Sequence, residues 1–135
     1  MRFFLVLGLL MGIAFGYVGD TYDEFLKEYK HIKILSVNKE QTPEATKALE
    51  ISKEGFTIYA LFDKNGICYE EYSLKNRVLP PAYLFIKDAK SLKPKLIMRI
   101  PLRLALWEYD TPRYKILYQT FGLPGYLGAD ARIVR

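Results

Sequence analysis

The chain has 135 residues, half of them hydrophobic, which fits one ordinary domain with a real core and excludes disorder over most of its length. One cysteine and one histidine exclude an internal disulfide, a cysteine-rich zinc site and any two-histidine metal motif. The net charge of +5 is uneven, −4 over residues 17–74 and +8 over residues 75–135; such a bias suits an anionic surface or an acidic partner, and equally an ordinary solvated face.

Arg2 precedes an uncharged apolar run from Phe3 to Phe15, and Ala14-Phe15-Gly16 places small residues where signal peptidase reads them. This predicts a signal peptide over residues 1–16, cleavage before Tyr17, and a periplasmic or extracellular location. Two alternatives stay open. The run can persist as a membrane anchor, at the short edge of what spans a bilayer. Or Phe3 to Gly8 can be a core strand of a cytoplasmic protein.

Thr21 and Glu24 have capping-box spacing, and Tyr22, Phe25, Leu26 and Tyr29 fall on one helical face, predicting the first helix. Ile32 to Val37 reads as a short strand. Thr42-Pro43 reads as N-cap and first helical residue, with a helix running through Ala45, Ala48 and Leu49 to Gly55 as its left-handed stop. Phe56 to Phe62 reads as a strand, Asp63 to Gly66 as a turn, and Ile67 to Leu74 as a hairpin return or a short helix. After Pro80-Pro81, Ala82 to Ile86 reads as a buried strand. Lys95 to Ile100 is another, stopped by Pro101. Leu102 to Tyr109 fits either period. Thr111-Pro112 repeats the helix-start pattern, with Tyr114, Leu117, Tyr118 and Phe121 on one face and Gly122 as the stop. Residues 123–135, with Pro124, Gly125 and Gly128, read as a loosely attached tail beyond a single domain over 17–122. Alternating helices and strands predict an α/β or α+β fold, a small mixed sheet flanked by about three helices.

Candidate chemistry is sparse. Asp63, Asn65 and Gly66 lack the glycine position and closing glutamate of a calcium loop. Glu70 and Glu71, adjacent on a strand, point to opposite faces. Glu108 and Asp110 would share a face on an extended stretch, without a reason in the sequence for split pKa values. His31 ends the first helix, where a positive charge favours the dipole. No phosphate loop, nucleophile elbow or dinucleotide fingerprint is present. The scattered basic residues lack an accompanying aromatic-rich motif, so no specific nucleic acid is expected. No catalytic centre, metal or cofactor is predicted. The residues that remain are Cys68, as a candidate thiol, and a candidate contact surface of Tyr83, Arg99, Arg103, Trp107, Tyr109, Arg113 and Tyr126.

From Ile34 to Asp88 the order of features resembles the thioredoxin-like superfamily, especially its exported thiol-disulfide oxidoreductases and peroxiredoxins. Ile34-Leu35-Ser36-Val37-Asn38 resembles that fold's strand ending in valine-asparagine, and Leu61 to Gly66 its strand-aspartate-turn-glycine. Tyr72 sits where those proteins often place a tyrosine. Pro80 or Pro81 before Ala82 to Ile86 resembles the cis-proline and the strand after it. The family's active-site cysteines belong at the start of the first helix, and Gly16 to Tyr22 contains none. Removal of a signal peptide would also remove the family's first strand. The resemblance therefore implies a degenerate member, inactive or acting through Cys68 with a partner's thiol. The leading expectation from the residues is an exported binding or accessory protein without its own catalytic centre. It would meet an unidentified protein partner or an anionic surface; a membrane-tethered accessory protein is the further alternative.

Overall fold

The structure, a computed structural model, describes residues 16–123 and 126–135. The expected signal peptide, anchor or core strand before Gly16 lies outside the described residues.

Tyr22–Glu28 forms helix α1, the only α-helix among the described residues. Its start is the capping box read from the sequence: the Glu24 N–H donates to Thr21 Oγ1 and the Thr21 N–H to Glu24 Oε1. Eight strands follow: β1 Lys33–Leu35, β2 Lys47–Lys53, β3 Phe56–Phe62, β4 Cys68–Asn76, β5 Lys95–Ile100, β6 Leu104–Asp110, β7 Lys115–Leu123 and β8 Tyr126–Ile133. They build one sheet in the order β1-β2-β3-β4-β8-β7-β6-β5, with every pairing antiparallel. Two four-stranded meanders thus meet where β4 pairs β8, and among the described residues β1 and β5 are the edges.

One face of the sheet carries the main core. Across the strands, Leu49 stands opposite Ala60, Ala60 opposite Glu71, Glu71 opposite Ala131, Ala131 opposite Tyr118 and Tyr118 opposite Trp107. Paired residues share a face, so this row runs through six strands. It is covered by Val18, Phe25 of α1, and Leu84, Phe85, Ile86 and Ala89 of the segment between β4 and β5. Phe25, Phe62 and Phe85 are fully buried, each worth about 1.5–3 kcal/mol. A smaller cluster on the other face joins Ala45, Ala48, Leu61 and Tyr69.

This architecture corrects the expected small mixed sheet with about three helices. The helix expected from Pro43 is a loop followed by β2. Leu49, Ile51 and Lys53 alternate inward, and Glu54 and Gly55, both at positive φ, make the hairpin turn into β3. Gly55 therefore takes the left-handed conformation read from the sequence, in a turn between strands. The helix expected from Pro112 is β7, whose Ile116, Tyr118 and Thr120 are buried in alternation. Ala82–Leu84 is a 3₁₀ turn, so the expected strand there is instead a plug of Leu84, Phe85 and Ile86 over the sheet.

Residues 126–133 are not a loose tail. They are a central strand, and Gly128 serves close approach: a Cβ there would stand 2.4 Å from the Phe121 ring and 3.0 Å from the Ser73 carbonyl oxygen. The α/β layering implied by the thioredoxin-like resemblance is accordingly replaced by a predominantly antiparallel sheet.

Candidate functional site

The β5–β6 hairpin ends the sheet, and all six residues of β5 are exposed. Its outer edge has no strand beside it among the described residues. Leu96, Ile97, Met98 and Ile100 are each about half exposed. The register shifts between Leu96 and Met98, so Ile97 is the extra residue of a bulge opposite Trp107 and Leu106. Pro101 stops the strand, and Leu102 at the turn has φ +63 and is 99% exposed. The turn is anchored by the Gly122 N–H, which donates to the Arg103 carbonyl. A cavity of about 400 Å³ opens at this end. Leu79, Leu104, Trp107, Phe121 and Leu127 line it, together with Arg99 and Arg103. Between Ala89 and Trp107 the chain carries Lys90, Lys93, Lys95, Arg99 and Arg103 and no acidic residue.

Three of the seven predicted contact residues, Arg99, Arg103 and Trp107, therefore meet at one site. The others lie apart. The Tyr83 hydroxyl donates to Glu54 Oε1, with the Lys90 ammonium 4.3 Å from the ring centroid. Tyr109 is buried, edge-on to Tyr118. Arg113 donates to the Tyr114 hydroxyl and lies over that ring. Tyr126 begins β8 opposite Leu123, next to the cavity residue Leu127. Leu102 and Ile97 were not singled out in the sequence, although an apolar residue beside Pro101 in a turn position was the available signal.

Cys68 is fully buried, and its thiol points at the Glu70 carbonyl. Burial pushes its pKa well up, and nearby Glu71 adds to the shift. This is the reverse of the exposed, electropositive setting that activates a thiol.

Two charged arrangements were not foreseen. Lys53 Nζ donates to Glu71 Oε1 at 2.6 Å and to the carbonyls of Gly16 and Leu84. All three ammonium protons are used, and they tie the N-terminal segment and the β4–β5 segment to the sheet. Glu71 Oε2 has no hydrogen-bond partner among the described residues. Burial raises Glu71 to about 7, against the pull of Lys53. Glu70 points to the opposite face, as strand alternation requires, and lies against Asp130. Burial and then this carboxyl neighbour hold Asp130 well above the usual carboxylate range. Reading residues 47–53 as a strand would have exposed the first arrangement, since Lys53 then falls in register with Leu49 and Ile51.

Among the described residues no cluster of three or more His, Cys, Asp or Glu side chains is arranged to hold a metal. No helix among them is long and apolar enough to cross a membrane. No protein-family model, curated protein or solved structure matches the chain.

Proposed function

We propose that the protein is an exported binding or accessory protein whose contact surface is the β5–β6 end of the sheet. The observation that carries this reading is the coincidence of three features at one place: an open apolar cavity, an edge strand exposed along its whole length, and Arg99 and Arg103 on the cavity wall. Exposed apolar surface that is contiguous and rimmed by charge marks an interaction site more often than solvated surface. Trp107 and the two arginines are residue types that dominate binding energy where they become buried.

The reading is tested in the native host by a photo-crosslinking residue at Ile97, with Thr57 as an exposed control on β3. Adducts from position 97 and none from position 57 are expected. No adduct from 97, or equal yields from both positions, would overturn it.

A further inference from the structure

We propose that the occupant of this surface is the interface of an anionic lipid bilayer, with the β5–β6 turn entering first; the inference rests on the contact-surface reading above. The turn holds Leu102 almost wholly in solvent, in a left-handed conformation that a leucine adopts at a cost. Behind it, Ile100 and Met98, paired with Leu104 and Leu106, are half exposed on one face of the hairpin, and Leu96, paired with Trp107, on the other, so apolar side chains flank the tip on both faces. Arg99 and Arg103 beside the turn supply positive charge, while Lys95 at the far end of β5 stands opposite Glu108. An apolar tip set in basic residues matches the two attractions of an interfacial segment, burial at the acyl boundary and charge on anionic headgroups.

Other occupants fit less well. A strand added to β5 would meet the bulge at Ile97 and an edge strand that carries Lys95 and Arg99, which are devices that blunt an edge. A second copy would bring the same basic residues against themselves. The open backbone edge of β5 also limits depth, because unpaired N–H and C=O groups are not tolerated in hydrocarbon. The contact is therefore shallow: Leu102 enters the acyl boundary, and Arg99 and Arg103 meet the phosphates.

The test labels Leu102→Cys with an environment-sensitive nitrobenzoxadiazole dye, which reads the hairpin locally whatever precedes Gly16. The probes are phosphatidylcholine vesicles with and without phosphatidylglycerol. A blue-shifted, brighter emission is expected on the anionic vesicles alone. Arg99→Ala combined with Arg103→Ala should lower partitioning about 30-fold. Three results would overturn the proposal: no response to either vesicle, an equal response to both, or a response that depends only on protein concentration, which would indicate a second copy. If vesicles give no response while Ile97 still cross-links to a protein in the host, the lipid assignment falls and the contact surface stands. If both experiments are negative, both readings fall.

Discussion

Lys53 and Glu71 meet at 2.6 Å across the width of β3, with side chains 6% and 0% exposed. Lys53 sits on β2 and Glu71 on β4, with Ala60 of β3 opposite Glu71. The pair is fully desolvated, so its net worth is small, yet removing Lys53 leaves the buried Glu71 carboxyl, driven to its protonated form, without its donor. Lys53→Met should destabilise the protein by about 3–5 kcal/mol, since it strands Glu71 and two carbonyls. Combining Lys53→Met with Glu71→Leu should recover part of that loss. Urea unfolding would measure both. A single-variant loss below about 0.5 kcal/mol would mean that the pair does not hold the two segments to the sheet.

Stability should fall as pH rises above the ordinary carboxylate range. Glu71, ordinarily near 4.5, is pushed up to about 7 by burial, and Asp130 is also raised by burial and then by Glu70. The native state therefore holds more protons than the unfolded chain in this window, so each unit of rising pH costs stability. Asp63 works in the opposite sense. Burial pushes it up, but the hydrogen bond from Arg135 and the N–H groups of Ile67 and Asn65 bring it below its usual value. Its contribution is present above the unfolded pKa and is lost as pH falls through the folded one. Asp130→Asn should flatten the decline on the alkaline side and raise stability at neutral pH. Denaturant midpoints across the pH range would show this; an unchanged profile would contradict it.

Leu102→Gly should raise stability by about 0.5–1 kcal/mol. Glycine removes the left-handed strain at φ +63, and the lost side chain contacts little. The same change should weaken vesicle binding, so stability and function would move in opposite directions. Leu102→Val, branched at Cβ, should destabilise instead. Thermal melts of the two variants with opposite signs would support the strained-tip account, whereas a loss from glycine would contradict it.

Cys68 should resist thiol reagents in the folded protein and react on unfolding. It is fully buried with its pKa raised well above the ordinary thiol value by burial and then by Glu71. Rapid labelling of the native protein by a disulfide reagent would contradict this.

The sequence was legible where the signals are local. The Thr21–Glu24 capping box and the Asp63–Gly66 turn each depend on a few neighbouring residues, and both stand in the structure. Thr42-Pro43 and Thr111-Pro112 misled because threonine caps turns as well as helices. The Thr42 hydroxyl donates to the Asn38 carbonyl, and Thr111 Oγ1 accepts from the Tyr114 N–H. β7 also carries apolar residues on both faces, so Tyr114, Leu117, Tyr118 and Phe121 fit a helical stripe as well as a strand. β8 was hidden by its small residues; at Gly128 the small size reflects the close approach of Phe121 and Ser73 rather than a flexible end. At the candidate site, Arg99, Arg103 and Trp107 were legible by type. Their convergence with Leu79 and Leu127 depends on the β4–β8 pairing, which joins residues far apart in the chain.

Among the described residues β5 is an edge with no strand beside it, available for contact. Amide hydrogen exchange of the free protein tests it most directly. Every second amide of β5, those directed away from β6, should exchange at nearly unprotected rates, while β4 and β8 at the centre of the sheet exchange slowest. Protection along the whole of β5 equal to that of β8 would show the edge already covered and would contradict the account.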